Sequence, residues 1–412
     1  MKLKIIDLFS GAGGLTEGFR NSNFKIIKHV EMDESASETL RLRDIYYYLK
    51  RNKKSKLYYE FLNDNLSVDD LNSNIPKRIL DNTINEEINE RNLEYIFKEI
   101  DTSVNGKISG VIGGPPCQAY STIGRARNAY KKKTDKRIYL YRYYIAFLKR
   151  YRPSFFVFEN VKGLLSFKDS DDRLLLPKMK KEFNEVGYDF KFNIVNTAEF
   201  GVPQTRERII IFGTPIREKK NIDNFFIYLN GQKEQSVDLK TALADMPFLN
   251  AGQINNEYTK SENKYISKHY RRDKNIPLTL NIARPNNEND LKIYRLVVNA
   301  KNHGKNLTYD ELDPKLQTHK HTDKFLDRYK SLSWEKPSYT IVAHIAKDGH
   351  HYIHPDINQN RSITVREAAR IQGFSDDFYF ETSRTEAYKQ IGNAVPPILS
   401  EKIARAITKI YK

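Results

Sequence analysis

Through the first 215 residues, short apolar runs alternate with amphipathic stretches. "LKIIDLF" predicts a strand, "SGAGG" a glycine turn, and "LTEGFR" the start of a helix. "FKIIKHVEMD" repeats the unit: a second strand ends at Glu31, and a helix begins near Asp33 in "DESASETL". "ISGVIGG", "PSFFVFEN", "FKFNIVN" and "RERIIIFG" are further β-branched or aromatic runs, with helical stretches between several of them. Parallel strands need crossover connections, which helices supply. The alternation therefore predicts an α/β fold, a doubly wound and mostly parallel sheet covered by helices on both faces.

Two parts break the rhythm. Residues 44–105 read as a charged helical insertion, in which Leu80, Ile84, Ile88, Ile96 and Ile100 predict a peripheral amphipathic helix without chemistry. From about residue 216 the alternation is lost, and turn signals such as "LNGQ", "NAGQ" and "RPNNEND" punctuate an Asn-, Lys- and Tyr-rich stretch. The expected organisation is a large domain of residues 1–215 plus 385–412, and a smaller one of residues 216–384. A helical pair, "TVREAARIQGF" and "ILSEKIARAITKIYK", closes the chain, with Thr364 and Glu367 spaced as a capping box.

Composition narrows the class. With 22 Phe and 26 Tyr in 412 residues there is apolar material for a sizeable core. No apolar run approaches the length that spans a bilayer, and Asp7 interrupts an N-terminal stretch already too short for a secretory signal. A single cysteine forms no internal disulfide, which points to a reducing cytoplasm. The formal charge of +17, from 69 Lys and Arg against 52 Asp and Glu, points to a polyanionic partner.

Candidate chemistry lies at two places. The first strand, its glycine turn and helix, and a second strand ending in an acid suit an adenosine-containing cofactor, with Glu31 placed to accept ribose hydroxyls. The turn has neither the P-loop Gly-Lys-Ser/Thr nor the GxGxxG order, so NAD and S-adenosylmethionine both stay open at this end. In "IGGPPCQ", Gly113, Gly114, Pro115 and Pro116 force the chain out of a strand and set Cys117 at the carboxyl edge of the sheet, where open α/β sheets bind ligands. Arg125 and Arg127 nearby favour a thiolate. "FFVFENV" brings Glu159 and Asn160 to the same edge, where burial raises an acid's pKa. "QTRERI" offers Arg206 and Arg208 on one face of a strand.

A thiolate, an acid, two arginines, an adenosyl site and a phosphate-attracting surface suit methyl transfer to cytosine carbon 5. Adding a thiolate to carbon 6 turns carbon 5 into a nucleophile. The ordered signatures "DLFSGAGG", "GGPPCQ", "ENV", "QTRERI", "TVREAARIQGF" and "QIGNAVPP" resemble those of the DNA (cytosine-5) methyltransferases through nearly the whole chain apart from the insertion and the variable domain. The resemblance implies that Cys117 is the nucleophile, Glu159 the acid at N3, and Arg208 a clamp on the cytosine O2, with Arg206 supporting. It implies S-adenosylmethionine as methyl donor, with contacts from Phe9, Gly11, Ala12, Gly14, Glu31, Met32 and Asn393, and no metal. It further implies double-stranded DNA as partner, a loop over about Gln118 to Arg137 that closes on a flipped base, and target recognition within residues 216–384. A bacterial restriction–modification setting follows from it, with a possible partner restriction endonuclease and a monomer acting on DNA in the cytoplasm. The usual Gly-Asp-Ile signature near the third strand is not evident, and Met32 stands where an aromatic residue often stacks on adenine.

Other readings weigh less. An amino-group methyltransferase calls for an Asp/Asn/Ser-Pro-Pro-aromatic turn, where this chain has Gly114-Pro115-Pro116-Cys117. The cysteine count excludes a two-cysteine RNA methyltransferase, and the tRNA-directed branch of the same family usually carries a further cysteine signature. A dehydrogenase fits nothing after Gly113, and a DNA-binding module needs no thiol. His344, His350, His351 and His354 lack metal-ligand spacing. Arg271, Arg272, Arg284 and Gln253 are candidates for reading bases.

Overall fold

The computed structural model describes residues 2–21, 23–116, 120, 135–259, 262–318 and 323–412. Among them, β1 (Leu3–Leu8), β2 (Phe24–Glu31), β3 (Thr83–Asn85), β4 (Gly110–Gly113), β5 (Phe155–Val161), β6 (Tyr188–Asn196) and β8 (Glu207–Pro215) form one sheet in the order β3-β2-β1-β4-β5-β8-β6. β7 (Gln204–Thr205) pairs separately with β9 (Ser338–Tyr339). β1 through β5 run parallel, and β8 lies antiparallel between β5 and β6. The fold is thus the α/β one expected, with one reversed strand.

Helices cover both faces, so the central strands are apolar along most of their length rather than alternating, with Asp7 of β1 a buried exception. On one face, helices Leu93–Ser103, Tyr141–Tyr151 and Leu175–Glu185 pack on Ile6, Leu8, Val111, Phe156 and Phe158. Tyr141 and Tyr144 are buried there, as packing residues. On the other face, Lys220–Asn230 and the C-terminal helix Pro397–Tyr411 pack on Ile5, Ile112, Phe155 and Val157.

The helix expected between Ile79 and Ile100 does not form. Lys77–Leu80 is a single turn, Ile84 sits in β3 at the sheet edge, and a helix resumes only at Leu93. Ile84, Ile88, Ile96 and Ile100 share a helical spacing, yet they reach the core from a strand, a loop and a helix. Residue 44 also lies inside the helix Glu34–Arg51, which Asp33 caps by accepting from the Ala36 amide.

The chain ends in three helices, Val365–Gln372, Arg384–Asn393 and Pro397–Tyr411, and the capping box of Thr364 and Glu367 is present. A second core joins residues 239–270 to 332–394 and includes Ala12 of the glycine turn. A smaller core is built on Ile293, Tyr294, Val297, Val298, Tyr309, Leu312 and Tyr329 together with Ile353. Buried charge ties the first two regions together. Arg43 bonds Glu17 and Asp377, while Asp376 next to it holds Arg370. No helix among the described residues is long and apolar enough to cross a membrane.

Candidate active site

The glycine turn follows β1 with Phe9, Gly11 and Gly13 all at positive φ (54°, 52° and 86°). That path is cheap for glycine and strained for Phe9. Two opposed packings explain the glycines. A Cβ on Gly14 would stand 2.3 Å from the Val395 carbonyl oxygen, whereas one on Gly11 would meet nothing within 4 Å. One side of the turn is therefore sealed by the chain after Asn393, and the other is open.

Glu31 borders the open side. Its Oε2 accepts from the Gly11 amide at 2.7 Å and its Oε1 from the Asp33 amide at 2.8 Å. Burial raises its pKa above the ordinary carboxylate value, against the pull of those amides. A carboxylate has about four acceptor sites, so these amides leave capacity for a hydroxyl donor. Met32 beside it is 60% exposed, Phe9 is half-buried against the sheet core, Ala12 is buried, and Asn393 is exposed at the end of its helix. Phe9, Gly11, Ala12, Gly14, Glu31 and Met32 thus gather at the carboxyl ends of β1 and β2, and Asn393 joins them through Ala394 and Val395. β3 belongs here too. The Asn85 amide donates to the Glu31 carbonyl at 3.0 Å, so the loop from Glu86 to Ile88 leaves beside that acid. This is the edge where no signature was evident in the sequence.

The second group sits at the ends of β4 and β5. Gly113 has φ 147°, and a Cβ there would lie 2.0 Å from the Leu8 carbonyl oxygen. A Cβ on Gly114 would lie 2.6 Å from the Glu159 carbonyl oxygen and 3.1 Å from its Oε2. The turn is thus wedged between β1 and β5, and only glycine fits. Asn160 then donates from its amide to the Pro115 carbonyl at 3.2 Å. Cys117, two residues further on, lies outside the described residues, as does most of the stretch from Gln118 to Arg137.

Glu159 Oε1 and Arg208 Nε stand 3.0 Å apart, each side chain 13% exposed. Burial pushes the Glu159 pKa up, and Arg208 and Arg206 pull against it without cancelling the shift. The carboxyl is thereby easier to protonate than a surface glutamate, as a proton donor needs. Arg206 and Arg208 do not serve one surface. Arg206 is buried and donates to the carbonyls of Ile341 at 2.6 Å and Gly392 at 3.0 Å, next to Asn393.

Gln204 was not foreseen. It is buried, donates to Gln372 Oε1 at 2.6 Å and accepts from the Ile341 amide at 2.8 Å. Gln372 in turn donates to the Ala394 carbonyl at 2.5 Å. Gln204 and Arg206 together pin the 341 segment and the end of the Arg384–Asn393 helix to the strand that carries Arg208. Three of the four candidate base readers are engaged internally, Arg271 with Asp245 and Glu262, Arg272 with Glu401, and buried Arg284 with the Ile345 and Lys347 carbonyls, while Gln253 is exposed and accepts from the Asn250 amide at 2.8 Å.

A glycine turn and a buried acid at the ends of β1 and β2 thus stand beside an acid–arginine pair at the end of β5 and the start of β8. A family profile described as "C-5 cytosine-specific DNA methylase" matches residues 3–69 and 48–409. The chain is 36% identical over 447 residues to the type II methyltransferase M.Bpa9945I of Bacillus paralicheniformis, covering 98% of each chain. It is 28% identical to M.DdeI of Desulfomicrobium norvegicum, covering 100% of this chain and 89% of that one. A solved structure of a protein encoded within an E. coli prophage superposes with a TM-score of 0.59 at 23% identity, covering 100% and 99% of the two chains. The chain belongs to the C-5 cytosine-specific DNA methylase family. It is a DNA (cytosine-5-)-methyltransferase.

Proposed function

We propose that this enzyme methylates one cytosine within a specific duplex sequence, using S-adenosylmethionine, base flipping and a transient covalent bond between Cys117 and cytosine carbon 6. The observation that carries the reading is the pair Glu159–Arg208, set against Gly114 on the turn that leads into Cys117.

Attack of the Cys117 thiolate on carbon 6 pushes electrons toward N3, where protonated Glu159 gives its proton. Arg208 holds the carboxyl and offers its guanidinium to the cytosine O2, and Arg206 supports that strand from behind. Carbon 5, now enamine-like, takes the methyl group. Loss of the carbon-5 proton to a base then expels the thiolate, and return of the N3 proton to the Glu159 carboxylate restores the neutral aromatic ring.

The residues around the glycine turn fit S-adenosylmethionine, because Gly11 faces open space beside a buried acid with acceptor capacity to spare. When bound, that cofactor supplies an electrophilic methyl group. Glu31 would hold the ribose hydroxyls. Phe9, Ala12, Gly14, Met32 and Asn393 would shape the rest of the pocket, with the loop after β3 at the adenine end.

The DNA would lie in a basic cleft with its major groove toward residues 216–384, the target-recognition part, apart from the catalytic residues 1–215 and 385–412. The type II names of the relatives support a restriction–modification role with a partner nuclease. The enzyme would act as a monomer on DNA in the cytoplasm. Bisulfite sequencing of DNA from cells expressing the protein, paired with trapping on duplexes carrying 5-fluorocytosine at the target, tests the reading. Methylation with a Cys117-linked adduct is expected. A Cys117→Ser protein that methylates at the normal rate would overturn it.

A further inference from the structure

Within residues 293–331, a cavity of about 130 Å³ opens between the last turn of the helix Glu288–Asn302 and the segment 327–331. Its polar lining includes Lys301, Lys305, Lys330, Asn306 and Ser331, with Asp327 as its acid. Lys305 is paired with Glu311 at 2.8 Å. Lys301 donates to Asn306 Oδ1 at 2.8 Å, and the Lys330 ammonium lies over the Tyr339 ring, 4.3 Å from its centre. Among the described residues, neither Lys301 nor Lys330 has a carboxylate within ion-pair distance. Burial and the like charges of Lys336 and Lys330 hold the Lys301 pKa below its ordinary value. The Ser331 hydroxyl is spent on the Leu332 carbonyl at 2.9 Å, so the ammonium groups are the pocket's charged donors, and such crowding is relieved by an anion of phosphate size.

We propose that this pocket takes a backbone phosphate of the DNA duplex, an inference that rests on the DNA-methylating function above. The adjoining turn favours duplex over free phosphate. Phe325 is 77% exposed at φ 57°, a costly conformation for a bulky aromatic residue. It is held by Tyr309 N donating to the Leu326 carbonyl at 2.8 Å and Arg328 N to the Phe325 carbonyl at 3.2 Å. An aromatic ring fixed outward two residues from the pocket wall suits an extended partner that covers both. A phosphate contact fixes register on the duplex without reading sequence.

The test compares full-length wild type with Lys301→Gln/Lys330→Gln on a target duplex and an unrelated duplex across a salt series. Affinity is expected to fall by about three- to tenfold on both duplexes, and the slope of log K against log salt to shrink by about 1. Lys330→Arg, which keeps the charge, should retain the wild-type slope and guards against a folding artefact. Unchanged affinity and slope, or a loss confined to the target duplex, would overturn the proposal. So would inorganic phosphate raising the melting temperature of wild type alone while both proteins bind DNA alike. Trapping of wild type on 5-fluorocytosine DNA is scored in parallel, and its failure would sink the catalytic reading rather than this pocket.

Discussion

The side-chain amide of Asn160 donates to the carbonyl oxygen of Pro115 at 3.2 Å, in the buried space between β5 and the turn that leads to Cys117. Adjacent residues on one strand thereby act on both partners of the proposed reaction, Glu159 as the acid and Asn160 on the turn that carries the thiol.

Asn160→Ala is expected to leave cofactor affinity near wild type and slow adduct formation on 5-fluorocytosine DNA by about 10- to 100-fold, since small displacements of a reacting group cost rates of that order. The lost buried hydrogen bond should also lower stability by about 1–3 kcal/mol. Single-turnover trapping and cofactor titration, run on the same preparation, separate the two effects.

Glu159→Gln should lose turnover by about 10²- to 10⁴-fold and keep cofactor binding. The sign of the pH effect follows from the raised pKa. The reactive protonated form is present below that pKa, so the wild-type methylation rate should fall as pH rises through it. The residual rate of the Gln variant should lack that limb. A falling limb that persists unchanged in the Gln variant would contradict the assignment.

Gly113→Ala tests the wedge. The methyl group would overlap the Leu8 carbonyl oxygen, and the backbone there is in a region that favours glycine. A loss of about 2–4 kcal/mol in folding stability is expected from overpacking plus strain, read as a lower midpoint in denaturant. Gly187→Ala is the control for a bare φ effect, because at φ 87° its Cβ would meet nothing within 4 Å.

Acid should unfold the enzyme in two stages. Burial, with Lys268 and Arg272 nearby, holds His269 at about 3, and burial with Arg361 nearby holds His354 at about 3. Both imidazoles stay neutral in the folded chain, while the unfolded chain takes up those protons near 6.5. Their contribution is therefore full above pH 6.5 and is lost as pH falls toward 3. Glu367, paired with Arg361 at 2.7 Å, is held at about 2, so its share is lost between about pH 4.5 and 2. Denaturation midpoints measured from pH 7 to 4 should decline, and His354→Gln should flatten that decline if it folds. A flat wild-type curve would rule the scheme out.

What the sequence made legible was chiefly local. The Asp33 cap, the Thr364–Glu367 box and the strand–glycine–helix start each depend on contacts within a few residues. β3 was hidden because a three-residue strand has no period of its own, and Ile84, Ile88, Ile96 and Ile100 imitate a helix across three elements. The split between Arg206 and Arg208 was hidden for another reason. Two residues apart predicts a shared face, but Arg206 falls between β7 and β8 and is drawn inward by carbonyls 135 and 186 residues away. Gln204 depends on similarly distant partners, so nothing near it in sequence marked it.

Gly113 and Gly114 touch β1 on one side and β5 on the other with no room for a side chain. The turn that leads toward Cys117 therefore shares a single frame of reference with the strand that enters the glycine turn and the strand that carries Glu159. On the proposed reading, peripheral segments could be exchanged or lengthened without realigning the reacting groups.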